Sequence, residues 1–149
     1  MLALIALAAA AQQSPFIPAC PLPEEAQFYE RLDALPTEIL QDFSANAGRV
    51  VNPGDEVNLS DVISDPRIPT RFWRYVLQIK DDWFISYVSG GFVTQNITVA
   101  YTVLRPSGIR FKGAVSGDLC AAYDYLRGRS RFRVIEGWRR IDKLAAKAK

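Results

Sequence analysis

Between Trp73 and Val115, apolar and polar side chains alternate residue by residue in four short runs. A period of two puts successive side chains on opposite faces of a strand, so such a stretch buries its apolar residues only as part of a sheet. The apolar positions are Trp73, Tyr75, Leu77 and Ile79, then Trp83, Ile85 and Tyr87. Val93, Ile97, Val99, Tyr101 and Val103 form the third run, and Ile109, Phe111, Gly113 and Val115 the fourth. Asp81-Asp82, Gly90-Gly91 and Pro106-Ser107-Gly108 separate the runs. Connections this short join antiparallel neighbours and predict a meander. The intervening positions are rich in Thr, Ser, Arg, Asn and Gln, which predicts a solvated face opposite a covered one.

Helical signals flank the meander. Pro23-Glu24-Glu25 predicts a helix through Phe28, Leu32 and Leu35, with proline in the first turn and acids at the positive end of the helix dipole. Pro36 ends it and starts a second helix through Ile39, Leu40 and Phe43, closed at Asn46-Ala47-Gly48. Asn52-Pro53-Gly54-Asp55 is a turn, and residues 59–63 read as a short strand or one helical turn. Asp118 caps a third helix through Leu119, Cys120, Ala122, Tyr123 and Leu126, ended by Gly128. Residues 131–135 read as a fifth strand or an extended tail. The expected fold is α+β, with N-terminal helices and one later helix packed on a four- or five-stranded antiparallel β-meander. One domain is expected over residues 23–137, followed by a basic tail over 138–149.

The first eleven residues, MLALIALAAAA, are uncharged and aliphatic and run into Gln12-Gln13. They read as a secretory signal peptide with Ala9-Ala10-Ala11 as a cleavage site, although the usual basic start is missing. A proline-containing leader over residues 12–22 follows. A periplasmic or secreted location makes Cys20 and Cys120 a disulfide pair. No segment is apolar enough to be transmembrane.

The chain has no histidine. Ser-His-Asp and Cys-His triads and imidazole-ligated zinc are therefore excluded within it, and two cysteines cannot build a four-cysteine cage. Neither a catalytic set, a metal site nor a cofactor is expected. Charge is distributed unevenly. Residues 1–65 hold ten acids against Arg31 and Arg49, whereas residues 66–149 hold sixteen bases against six acids. This skew suggests pairing between the halves or a basic surface for an acidic partner.

Four sets of residues are candidates for function. Arg127, Arg129, Arg131, Arg133, Arg139 and Arg140 would form an anion- or partner-binding surface, since alternate arginines line one side of an extended segment and fork onto carboxylates or phosphates. Trp73, Tyr75, Trp83, Tyr87 and Tyr101 could line a ligand site but more simply make core pairs. Asp81-Asp82 and Asp118 with Asp124 could supply acid–base chemistry but sit where a turn and a helix cap want aspartate. The loop over residues 89–92 could plug the cleft of another protein. Asn58-Leu59-Ser60 and Asn96-Ile97-Thr98 match the N-glycosylation sequon, which matters only in a eukaryotic secretory path. The expectation is a small exported bacterial envelope protein, a non-catalytic binding module using its basic C-terminal surface on an acidic envelope component or protein, not nucleic acid. The competing readings are an Asp/Glu-dependent hydrolase of envelope glycans and a periplasmic enzyme inhibitor.

Overall fold

The computed structural model describes residues 20–62 and 65–128 together with Trp138. The signal peptide, most of the leader, the strand considered at residues 131–135 and the basic tail beyond Trp138 lie outside the described residues. What is described is mostly sheet with some helix. Five antiparallel strands stand in sequence order: β1 (Gln27–Tyr29), β2 (Arg71–Ile79), β3 (Asp82–Ser89), β4 (Gln95–Val103) and β5 (Ile109–Ser116). Helix α1 (Thr37–Ala47) lies between β1 and β2, and α2 (Leu119–Leu126) follows β5.

The helix expected to open at Pro23 does not form. Its residues make a turn, strand β1 and a single 3-10 turn over Leu32–Ala34. The helical spacing of Phe28, Leu32 and Leu35 is overridden by pairing: Phe28 stands opposite Leu77, and Tyr29 opposite Val76. Tyr29 also stacks on Trp83 with ring centroids 5.3 Å apart. The fifth strand among the described residues is therefore β1, on the β2 edge. Residues 59–62 form neither strand nor helix.

One face of the sheet is covered by α1. Leu35, Ile39, Phe43 and Ala47, four residues apart, pack on Trp73, Val76, Trp83, Ile85, Tyr87, Val99 and Tyr101. Trp138 closes this core, stacking on Phe111 at 5.4 Å and on Phe43 at 6.3 Å.

The opposite face is not solvated as its polar composition implied. It buries Tyr75, Leu77, Phe84 and Ala100 under Leu119 of α2, with Leu22, Ala26 and Tyr123 alongside. Its polar side chains are satisfied within the protein: Thr98 Oγ1 lies 3.3 Å from Ser86 Oγ and 3.2 Å from the Gly117 carbonyl, and both Ser86 and Thr98 are buried. The Leu119 backbone N–H donates to the Tyr75 hydroxyl at 3.0 Å, which seats the start of α2 on this face. Asp118 caps that helix by accepting from the Ala121 N–H at 3.1 Å. Cys20 and Cys120 are joined by a disulfide with their Cα atoms 5.6 Å apart, fastening the leader to α2. As a result β3 is buried on both sides from Trp83 to Val88.

Two β-bulges invert the alternation read from sequence. Trp73 pairs with Tyr87, but Tyr75 pairs with Ser86, so Arg74 is an extra residue in β2. Trp73 consequently faces α1, whereas Tyr75, Leu77 and Ile79 face the other way. In β5, Phe111 pairs with Tyr101 and Gly113 with Ala100, so Lys112 is extra. Phe111 and Ala114 thus join the α1 core, while Gly113 takes a positive φ of 154°. A bulge adds one residue to one strand and swaps every later side chain to the other face.

Candidate functional site

The two ends of β3 differ in character and stand about 25 Å apart at the usual rise per residue. At the first end, the β2–β3 turn is built on Lys80, which takes a positive φ of 57°. A groove of about 530 Å³ opens there between the turn and α2, lined by Glu25, Lys80, Asp82, Thr102, Tyr123 and Arg127. Its acids are matched to bases: Lys80 lies 3.4 Å from Glu25, Arg105 3.2 Å from Asp81 and Lys112 2.9 Å from Asp82. Thr102 also donates to Asp82, so this carboxylate ties β3, β4 and β5 together. The Glu25 carboxyl is held below its ordinary range, chiefly by a backbone hydrogen bond, with Lys80 and Arg127 adding to it.

Arg127 belongs to this end. It is exposed, donates to the Tyr123 hydroxyl at 2.6 Å and lies 5.2 Å from the centre of that ring. The other five members of the expected basic surface, Arg129, Arg131, Arg133, Arg139 and Arg140, lie outside the described residues. Asp81 sits in the β2–β3 turn, Asp82 opens strand β3 opposite Ile79, and Asp118 caps a helix. The five aromatic candidates are all buried in the two cores.

A second cleft, of about 710 Å³, lies between the 3-10 turn, α1 and the segment after α1, lined by Arg31, Leu32, Asp33, Leu40, Asn52 and Trp73. Trp73 is buried, and its indole N–H is taken by Asn52 Oδ1 at 3.0 Å. Arg31 and Asp33 pair with one another at the exposed rim, which raises Arg31 above its ordinary value. Among the described residues no group of three Asp, Glu or Cys side chains is placed to hold a metal ion. No helix there is long and apolar enough to cross a membrane.

The other end of β3 is apolar. Phe92, in the loop joining β3 to β4, is 95% exposed, and its neighbour Val93 is 66% exposed. Sequence reading placed Val93 on the buried face of a strand. In fact β4 begins at Gln95, and Val93 belongs to the loop. Beside it runs a second loop over residues 58–62, in which Val62 is also 66% exposed.

Hydrogen bonds fix both loops. The Gly90 N–H donates to the Thr70 carbonyl at 2.7 Å, and Thr94 Oγ1 donates to the Leu59 carbonyl at 3.3 Å. The Asn58 N–H donates to Pro69 at 2.8 Å, its side-chain amide donates to the Val62 carbonyl at 2.9 Å, and its Oδ1 accepts from the Ser60 N–H at 2.9 Å. The Leu59 backbone lies against Gly90 so closely that a Cβ there would stand 2.5 Å from Leu59 Cα. Three of the four large hydrophobic residues exposed among those described, Val62, Phe92 and Val93, are thus held on braced loops at one end of the sheet. Residues 89–92 stand out in the sequence as a loop able to plug a cleft, with Gly90-Gly91 as its turn. Val62 and the notch at Gly90 do not, because their neighbours are set by the fold. The available sequence signal was the pair Phe92-Val93 inside an otherwise small and polar stretch.

No family model, no curated protein and no solved structure matches this chain.

Proposed function

We propose that the chain is an exported, non-catalytic interaction module of the bacterial envelope, and that it engages a protein partner with the loop between β3 and β4. The observation that carries this reading is Phe92, 95% exposed on a loop anchored at Gly90 and Thr94. A solvated phenyl ring on a fixed loop loses little conformational freedom on docking, and aromatic residues dominate binding energy at interfaces. The disulfide supports export, since such bonds persist in oxidising compartments. On this reading the mature chain starts near Gln12. The basic segment from Arg127 through Arg129, Arg131, Arg133, Arg139 and Arg140 is a second contact, for an acidic envelope component. Arg127 itself lies by the β2–β3 turn, at the end of the sheet away from Phe92. Hydrolysis of glycans is the weaker reading, because Asp81 and Asp82 are each engaged by a cation. Affinity capture from an envelope extract tests the proposal. One stoichiometric partner is expected with the wild-type chain and none with Phe92→Asp. Equal recovery by both would remove the loop from the function.

A further inference from the structure

Resting on the loop reading above, we infer that residues 58–62 and the β3–β4 loop form one composite docking surface for a protein that offers an apolar pocket with a basic rim. Phe92 and Val93 supply two apolar groups, and Val62, from a segment about thirty residues earlier, supplies the third. The loops are coupled by the Thr94–Leu59 hydrogen bond and by the close approach of Leu59 to Gly90. Gly90 is therefore a positioning residue: any side chain there drives the loops apart.

Charge selects among occupants. Across residues 58–62 and 90–96 the only charged side chain is Asp61, and it is exposed. Asp55 and Glu56, a few residues earlier in the same segment, are exposed too, and the exposed Arg67 nearby in sequence is paired with Asp65. The arginines on the neighbouring strand are engaged: Arg71 donates to the Ala47 carbonyl at 2.6 Å, and Arg74 to Asn96 at 3.1 Å. A single phenylalanine and two valines beside an acid make a poor membrane anchor, since stable attachment needs a second signal such as a basic cluster. A second copy of the chain, docked about a two-fold axis, would bring two Asp61 carboxylates onto one small patch. A protein with a pocket for the phenyl ring and lysine or arginine at its edge meets neither objection.

The test uses the full chain with its disulfide intact. p-Benzoylphenylalanine at position 93 is cross-linked in envelope preparations, and the captured protein is identified, purified and titrated at two salt concentrations. Phosphatidylcholine and phosphatidylglycerol vesicles are titrated in parallel. The expected result is saturable binding to one protein that weakens with salt, with Phe92→Asp costing about 30-fold or more in affinity. Val62→Asp, Asp61→Lys and Gly90→Ala should each weaken it by about 5-fold or more. Circular dichroism of Gly90→Ala confirms that any loss is not unfolding. Loss with Phe92→Asp but none with the other three overturns the composite surface and leaves the loop reading standing. Binding that ignores Phe92→Asp, or cross-links confined to lipid or to a second copy, overturns both.

Discussion

Trp138 donates its indole N–H to the Tyr87 hydroxyl over 2.9 Å, and both side chains are buried. This bond joins a residue near the C-terminus to the most enclosed strand of the sheet. The Trp138 ring is also stacked on Phe111 and Phe43, so it fills the α1 core and satisfies a buried hydroxyl together. Trp138→Ala should destabilise the fold by about 3–5 kcal/mol, as for other large aromatic truncations. Trp138→Phe should cost about 1–3 kcal/mol, since a ring remains but the hydroxyl loses its donor. Urea unfolding midpoints measure both.

Tyr87 also gives the protein an alkaline limit. Burial pushes its hydroxyl above the ordinary value of 10.0, against smaller opposing contributions from Trp138 and Arg71. The folded state holds the phenolic proton more tightly than the unfolded chain does. Its contribution is therefore intact below pH 10 and lost progressively as pH rises through the raised value. Thermal unfolding followed between about pH 8 and 11.5 should show a steeper alkaline decline for the wild type than for Tyr87→Phe, which has no proton to lose.

The disulfide closes a separation of 100 residues. Restricting the unfolded chain over that length is worth about 3–5 kcal/mol in chain-entropy terms. Cys20→Ser/Cys120→Ser should lose stability in that range, and a thiol reductant should do the same to the wild type while leaving the double variant unchanged. Comparing denaturation midpoints with and without reductant decides it.

The bulge in β5 depends on Gly113, whose φ of 154° is disfavoured for residues with a side chain although the space beside it is open. Gly113→Ala should therefore cost about 1–3 kcal/mol through backbone strain alone. Deleting Arg74 should be far worse. It would straighten β2, turn Trp73 away from α1 and abolish cooperative unfolding, which a calorimetric scan would register.

These bulges also mark where the sequence stopped being legible. The four long strands, the helix capped by Asp118 and the pairing of the cysteines could be read because each rests on local pattern or on a count of two. The faces could not, because Arg74 and Lys112 look like ordinary polar members of an alternating run. Pairing across strands alone reveals that they are extra. The helix expected at Pro23 failed for a related reason. Phe28 and Tyr29 have partners, Tyr75 and Trp83, more than forty residues away, and those contacts outweigh helical spacing. At the apolar end, Phe92 was visible as a loop residue. Val62 was not, since only the contact of Leu59 with Gly90 brings its segment alongside.

The bridge between Cys20 and Cys120 turns everything from the leader to α2 into a closed covalent ring, and Phe92 sits on that ring. An exposed loop is also the place a protease reaches first. A cut between residues 90 and 94 would open the ring without dividing the molecule. Both pieces would stay bonded through sulfur and co-migrate on a non-reducing gel, each still contributing strands to the same sheet.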